Sequence, residues 1–308
     1  MKNRLLIPAL VLLALASHAT ILSAQGTLAS QQILAVKAAT KSSVAAPGVS
    51  KNLATLSRTS WYQSDIYRGC LPKIDTCSYG TGKKWVAIYG DSHAPIWAFA
   101  LVPALRKMGY RVVMYWRAGC TPASLDVDTA LCTTEWRRSV ENAITSGTTK
   151  ASAVILIERT ADMKLVGGAP ATASVWRDSL IVTLNRFKGA GVKTVVWGDN
   201  PVAMFGSTYN PTYMPSTCVS LHLKDLRVCD TSLTASLAIN LIAAEKAAAA
   251  SAKVSYVDTT SWFCSTTTMT CPAVIDDMIV NYDTFHISWL YASKLSPLAG
   301  EILKPLLK

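Results

Sequence analysis

The feature that most constrains the fold is an alternation between two kinds of segment. Apolar runs rich in β-branched residues are separated by longer segments whose apolar residues have helical spacing; the runs are "WVAIY", "YRVVMYW", "ASAVILIE", "VKTVVWGDNP" and "AKVSYVD". Uniformly apolar runs are typical of strands buried on both faces, and strands that alternate with helices form parallel sheets. The sequence therefore predicts an α/β fold with a mainly parallel sheet covered by helices on both faces.

A serine stands where the first of these runs gives way to a helix. In "GDSHAPIW" Gly90 permits a tight turn after the strand, and Pro95 suits the first turn of the helix that follows. This junction would expose Ser92 at the carboxyl end of a parallel strand, close to unpaired backbone N–H groups that can bind negative charge. The alternative is an ordinary N-cap serine or an Asx turn.

A serine nucleophile needs a base, and the chain beyond residue 24 offers three histidines. His93 is adjacent to Ser92, and neighbouring side chains diverge at a turn, so a structural or substrate-contacting role is expected for it. His222 stands in a loop between two cysteines and is expected at the surface. His286, in "YDTFHISW", follows Asp283 by three residues, a spacing that can bring the carboxylate to the imidazole.

These residues predict a catalytic triad of Ser92, His286 and Asp283. His286 would take the proton of Ser92 while Asp283 fixes the imidazole tautomer. The backbone N–H groups of Ser92 and Gly119 would bind the oxyanion, because both follow strands that end at the same edge of the sheet. Taken alone, "DTFH" is also typical of a capping aspartate and a packed histidine.

The first residues have the pattern of an export signal. Lys2 and Arg4 precede an apolar run over residues 5–16, and small residues suit cleavage after Ala19 or Ala24. A membrane anchor is the alternative, but the run is shorter than the roughly 20 residues that cross a bilayer. We expect a signal peptide over 1–24, a flexible segment rich in Ala, Ser and Thr over 25–60, and one folded domain over 61–308. The protein would be periplasmic, associated with the cell wall, or extracellular.

Eight cysteines fall into four close couples. The couples are Cys70 with Cys77, Cys120 with Cys132, Cys218 with Cys229, and Cys264 with Cys271. An even number of cysteines after an export signal favours disulfides, whereas a metal site would need tighter couples and nearby histidines. We expect pairing within the couples and no metal, although spacing alone does not fix the connectivity.

The chain is basic, with a formal charge of +11. A cationic exported protein is suited to anionic polymers. Binding to nucleic acid is not expected, because the lysines and arginines are scattered and no nucleic-acid-binding motif is present.

Taken in chain order, the "GDS" motif, the loop of Gly119 and the "DTFH" motif resemble those of the SGNH (GDSL-like) hydrolase family. The resemblance is closer to the SGNH domain found fused to membrane-spanning acyltransferases that O-acetylate cell-surface polysaccharides, and it extends over approximately residues 83–307. Its carriers are "AIYGDSHAPIWAFALVPAL", "AGCTPA", "VVWGDNP" and "WFCSTTTMTCPAVIDDMIVNYDTFHISWLYASKLSPL". The resemblance implies a three-layer flavodoxin-like fold, the serine of "GDS" as nucleophile, Gly119 as the glycine of the second block, "DTFH" as the Asp and His block, and no cofactor.

Two features depart from the family pattern. The third block usually supplies an asparagine as an oxyanion donor, and "VILIERTAD" has none; Asn200 in "GDNP", which follows a different strand, is a candidate substitute. No membrane acyltransferase segment is found ahead of this part of the chain, so a transferase would need a separate membrane protein as acetyl donor and would meet the membrane only through that partner.

The leading hypothesis is an exported serine esterase or O-acyltransferase acting on acetyl esters of cell-envelope polysaccharide, or on a small acyl ester. The two activities share an acyl-serine and differ in whether water or a sugar hydroxyl attacks it. A non-catalytic glycan-binding or accessory module with the same fold is the alternative, since a fold does not establish activity. A periplasmic receptor for a small ligand would leave the serine, histidine and aspartate unexplained.

Four aromatic residues near the expected site could stack on a sugar or belong to the core: Trp97, Trp262, Phe285 and Trp289.

Overall fold

The structure is a computed structural model that describes residues 21–22, 27–58, 64–70, 75–127, 129, 131–146, 149–161, 163–204 and 213–308. The predicted signal peptide lies almost wholly outside the described residues and stays a prediction. Within the described ranges, no helix is both long enough and apolar enough to cross a membrane.

Among the described residues, seven strands form one sheet, and two further pairs of short strands form small sheets of their own. In chain order the strands are β1 (Ile21–Leu22), β2 (Thr76–Tyr79), β3 (Trp85–Gly90), β4 (Arg111–Trp116), β5 (Ala153–Ile157), β6 (Lys193–Trp197), β7 (Thr231–Ser232), β8 (Ser255–Val257), β9 (Thr270–Cys271), β10 (Val274–Ile275) and β11 (Met278–Ile279). The sheet order is β1-β8-β6-β5-β3-β4-β2, and every neighbouring pair is parallel except β2 with β4. The mainly parallel sheet predicted from the sequence is confirmed.

Helices cover both faces of this sheet. They are α1 (Thr27–Ala39), α2 (Pro47–Arg58), α3 (Asp65–Arg68), α4 (His93–Lys107), α5 (Thr134–Thr145), α6 (Ala173–Gly189), α7 (Pro215–Leu221), α8 (Leu233–Ser236), α9 (Ile239–Ala252), α10 (Trp289–Lys294) and α11 (Ser296–Leu306). One face of the sheet packs against α1, α4, α10 and α11, and the other packs against α5, α6 and α9. Alternate residues of β3 serve the two layers: Val86 and Ile88 point to the first, Ala87 and Tyr89 to the second. This is the three-layer arrangement expected of uniformly apolar strands.

The segment over 25–60, expected to be a flexible tether, instead contains α1 and α2. Ala29, Gln32 and Val36 of α1 are buried, and Gln32 donates from Nε2 to the carbonyl of Trp262 (2.9 Å) and to the Tyr291 hydroxyl (2.7 Å). The spacing of three and then four residues places these side chains on one face of the helix. The prediction failed because a stripe made of Ala, Gln and Val resembles a linker in composition, although it packs closely on a neighbouring layer.

All eight cysteines form disulfides, each within one couple. The bond between Cys120 and Cys132 closes a loop that begins just after β4. Four disulfides are consistent with an exported protein.

The register aligns the carboxyl ends of the central strands. Gly90 at the end of β3 pairs with Trp116 of β4 on one side and with Ile157 of β5 on the other, and Ile157 pairs with Trp197 of β6. From β3 the chain crosses first to β4 and then back to β5, so the winding direction changes beside β3. In doubly wound sheets, ligands bind at such a switch point, beyond the carboxyl ends of the strands.

Candidate active site

Ser92 lies in the tight turn between β3 and α4, at the switch point of the sheet. A Cβ atom at Gly90 would overlap the carbonyl oxygen of Ile157, so the turn requires glycine there. The buried Asp91 accepts the backbone N–H of His93 (2.8 Å) with one oxygen and that of Arg159 (2.8 Å) with the other. Ser92 itself is partly exposed, and its side chain makes no capping hydrogen bond to α4. The structure therefore does not support the alternative of an ordinary N-cap serine.

The hydroxyl of Ser92 faces the imidazole of His286. The distance from His286 Nε2 to Ser92 Oγ is 2.9 Å, and His286 Nδ1 lies 2.9 and 3.0 Å from the two carboxylate oxygens of Asp283. These three side chains are thus hydrogen-bonded in the order that the sequence predicted. Both histidine and aspartate keep about a quarter of their side-chain surface accessible, with 24% and 29% exposed, so the chain of contacts opens to solvent.

The Asp283 carboxylate is held in its ionised form by the turn in which it lies. Oδ1 accepts the backbone N–H groups of Phe285 and His286, both at 2.8 Å. Burial alone would raise the pKa of Asp283, but the imidazole of His286 and these backbone donors outweigh it and hold the pKa below the usual value. An ionised acceptor at Nδ1 places the proton on that nitrogen and leaves Nε2 as a lone pair toward Ser92.

Gly119 lies three residues beyond β4, in a loop whose Arg117 N–H donates to the carbonyl of Gly90, two residues before Ser92. Its φ of 69° is in the left-handed region that favours glycine. The neighbouring Cys120 donates its N–H to the carbonyl of Arg117 and forms a disulfide with Cys132, so a hydrogen bond and a covalent bond both restrain this turn. Within the described part of the chain, neither the N–H of Ser92 nor that of Gly119 has a backbone acceptor. Among the described residues both donors therefore have no partner, and both follow strands that end at the same edge of the sheet.

Asn200 does not occupy the position expected of an oxyanion donor. Its Nδ2 donates to the carbonyls of Phe285 (2.7 Å) and Pro201 (3.3 Å), which together use both amide hydrogens. The side chain is buried. We therefore withdraw Asn200 from the predicted oxyanion hole, because no N–H of its side chain remains for a substrate.

The other two histidines take different positions. His93 is buried and its Nδ1 contacts Asp199 Oδ1 at 2.6 Å, while its ring centroid lies 5.0 Å from that of His286. Burial lowers the pKa of His93, but Asp199 and Asp91 outweigh this effect and raise it overall. His222 follows α7, inside the loop closed by Cys218 and Cys229. His286 is thus the histidine that contacts Ser92.

Sequence reasoning missed a cation that lies over the aromatic residue before His286. The guanidinium carbon of Arg159 lies 4.5 Å from the centroid of the Phe285 ring, and Phe285 directly precedes His286. The sequence did hold a signal for Arg159, because this residue stands two positions beyond the end of β5, just as Ser92 stands two positions beyond the end of β3.

Of the aromatic residues considered for sugar stacking, Trp97 and Trp262 are fully buried in the core, whereas Phe285 and Trp289 are partly exposed.

Two buried glutamates underlie the site and were also not predicted. Glu158 follows β5 and accepts the hydroxyl of Thr121; its pKa is raised to about 7, mainly by burial and further by the charge of Asp91. Burial and the neighbouring Glu158 raise the pKa of Glu245, on α9, well above its usual value. Burial and the charge of Glu158 therefore both favour the protonated form of Glu245 at neutral pH.

Residues 62–300 match the model of the SGNH domain that is fused to AT3 domains. Among solved structures, the periplasmic domain of a lipopolysaccharide acetyltransferase from Salmonella ser. Paratyphi A is 16% identical, with a TM-score of 0.56 over 78% of this chain and 87% of that one. A carbohydrate acetylesterase family member from Sinorhizobium meliloti is 14% identical, with a TM-score of 0.43 over 73% of this chain and 99% of that one. No curated protein matches the sequence.

Proposed function

Since the chain belongs to the family of SGNH domains that are fused to AT3 domains, we propose that it is an exported serine O-acetyltransferase acting on cell-envelope polysaccharide. The observation that carries the proposal is the continuous chain of hydrogen bonds from Asp283 through His286 to Ser92. It supplies a nucleophile, a base and a group that orients the base, which acyl transfer requires.

In the first half-reaction Ser92 Oγ attacks the carbonyl carbon of an acetyl ester. The hydroxyl proton passes to His286 Nε2, and Asp283 stabilises the imidazolium that results. The carbonyl π electrons become an oxyanion, to which the N–H groups of Ser92 and Gly119 donate. Collapse of this intermediate breaks the bond to the leaving oxygen, which takes the proton from His286, and leaves an acetyl-serine.

In the second half-reaction a sugar hydroxyl attacks the acetyl-serine. His286 now accepts the proton of the sugar hydroxyl, and it returns a proton to Ser92 Oγ as the new ester forms. Water in place of the sugar gives hydrolysis by the same steps, so transfer depends on binding the acceptor near His286. Phe285, partly exposed and adjacent in sequence to the base, offers a ring for that contact.

One observation favours transfer, and two more fit an exported protein that acts on an envelope glycan. The family's domains are fused to AT3 domains, and the Salmonella structure that shares the fold is a domain of a lipopolysaccharide acetyltransferase. The chain is cationic, and cleavage after either predicted site removes Lys2 and Arg4 and leaves a formal charge of +9, which favours anionic polymers. Four disulfides fit an oxidising compartment. We propose that a separate membrane acyltransferase supplies the acetyl groups.

The test supplies an activated acetyl ester with and without envelope glycan and follows both products. We expect acetylated sugar, detected by mass, to form only when protein, ester and glycan are all present. The Ser92→Ala variant is the control for non-enzymatic transfer. Glycan that loses acetyl groups and never gains them, even at high ester concentration, would make the protein an O-acetylesterase instead.

A further inference from the structure

The loop that follows β6 contacts both the turn that carries Ser92 and the turn that carries Asp283 and His286. Its buried carboxylate, that of Asp199, accepts hydrogen bonds from four donors: His93 Nδ1 (2.6 Å), the backbone N–H groups of Asn200 and Thr160 (2.8 Å each) and Thr160 Oγ1 (3.2 Å). His93 is the residue after Ser92. Through this imidazole, Asp199 therefore fixes the start of α4 and the turn that presents the nucleophile.

The same loop holds the turn that presents the base. Asn200 Nδ2 donates to the carbonyl of Phe285, and the backbone N–H of Ala203 donates to the carbonyl of Thr284, both at 2.7 Å. These two carbonyls lie between Asp283 and His286 in the chain. The backbone of the Asp-to-His turn is thus anchored at two successive residues by a loop from another strand.

We propose that Asn200 is a positioning residue, whose side-chain amide holds the carbonyl of Phe285 so that His286 stays within reach of Ser92. Ser92 and His286 are 194 residues apart in the chain, and they approach within 2.9 Å. Such a contact depends on elements that bond to both turns, and the loop over residues 199–203 does so. This inference rests on the proposed function, because it assigns a role only if His286 is the base.

Removing the amide leaves the three triad side chains chemically intact but releases one anchor of the turn that carries Asp283 and His286. Misplacement of a catalytic group by about 1 Å can cost about a hundredfold in rate. For Asn200→Ala we therefore expect kcat for an activated acetyl ester to fall by roughly 10- to 100-fold, with KM within about twofold of the unmodified protein.

The chain offers a matched control for this variant. Asn52 Nδ2 donates to the carbonyl of Asp277, also at 2.7 Å, from α2 and away from the triad. Asn52→Ala removes the same type of bond and should leave kcat unchanged. Rates are compared per folded molecule, below the melting temperature of each variant, so that a loss of stability does not count as a loss of activity.

A double-mutant cycle shows whether Asn200 acts through His286. In the His286→Ala background, Asn200→Ala should change the residual rate by less than about twofold, because there is no base left to misplace. A further loss of tenfold or more in that background would overturn the proposal. So would an Asn200→Ala protein with unchanged kcat, or one in which only KM rises.

If Asn200→Ala does not fold, Asn200→Ser serves in its place, since a serine hydroxyl is too short to replace the amide at Phe285. The expected and contradicting results are the same. Failure of the proposed function has a different signature, because an unmodified protein without esterase activity and without an acetyl-serine would show that the triad itself is inactive.

Discussion

At the scale of single residues, the hydroxyl of Ser92 is free for chemistry because the helix that follows does not use it. The start of α4 is instead tied by Asp91, which accepts the N–H of His93 and that of Arg159. The serine hydroxyl then has His286 as its partner. A buried aspartate therefore fixes the turn, and the hydroxyl of the serine beside it is left to hydrogen-bond with His286.

Asp283 tests whether the three residues act as a unit. We expect Asp283→Asn to lower kcat by roughly 10³- to 10⁴-fold, because an amide that donates toward Nδ1 would favour the wrong imidazole tautomer. Ser92→Ala and His286→Ala should each nearly abolish turnover, and combining them should cost little more. Steady-state kinetics with a chromogenic acetyl ester measure these effects, and circular dichroism checks the fold. Full activity in His286→Ala, with loss in His93→Ala, would show that the base is misassigned.

Motif order predicted some residues of the site but not others. Ser92, His286 and Asp283 were predictable because each follows a local rule of turn or spacing, and the parallel sheet brings their turns to one edge. The role of Asn200 was not predictable, because the acceptors of its side-chain amide, the carbonyls of Phe285 and Pro201, are known only from the structure. Arg159 was also missed, since a cation over an aromatic ring has no pattern in sequence.

At the scale of elements, the central strands and their helices followed from periodicity, whereas α1 and α2 did not. Most residues of these strands are apolar, which leaves little ambiguity about burial. In α1 the buried positions are Ala29, Gln32 and Val36, and a glutamine is an expected surface residue. Its burial depends on Trp262 and Tyr291, which lie more than 200 residues away in the chain.

The disulfide after β4 gives a prediction at this scale. Replacing Cys120 and Cys132 by alanine should lower kcat by about tenfold, because the bond restrains the loop of Gly119 and complete loss of an oxyanion donor costs about 10²- to 10³-fold. Replacing Cys218 and Cys229 is the matched control, since those bonds close loops of similar length, with separations of 12 and 11 residues. Both variants should lose about 3 kcal/mol of stability. Equal effects on kcat would show that the first bond has no special role at the site.

At the scale of the whole molecule, buried ionisable groups link stability to pH. The folded chain raises the pKa of Glu158 from 4.5 to about 7, so it retains a proton that the unfolded chain releases. The stabilisation is complete below the unfolded pKa and is lost as pH rises through the folded value. Burial raises the pKa of Asp230 to about 6, and His93 has a raised pKa as well, so both act in the same direction. Asp283, with its lowered pKa, acts oppositely and only in stronger acid.

We therefore expect the melting temperature to fall between pH 5 and pH 8, and Glu158→Gln to reduce that fall. Glutamine carries no titratable proton, so its variant releases none from this position on unfolding. Each tenfold change in proton affinity corresponds to about 1.4 kcal/mol of free energy of unfolding. Differential scanning calorimetry across this pH range measures both slopes. An unchanged slope in Glu158→Gln would mean that Glu158 is ionised in the folded protein.

The central claim is that Ser92 carries the acyl group, and mass spectrometry tests it most directly. The protein is incubated with an activated acetyl ester, quenched in acid and digested, and the peptides are mapped. We predict one acetyl group on Ser92 in the unmodified protein and none at that peptide in Ser92→Ala. Acetylation that is confined to other side chains, or that is equal in the two proteins, would contradict the acyl-serine mechanism.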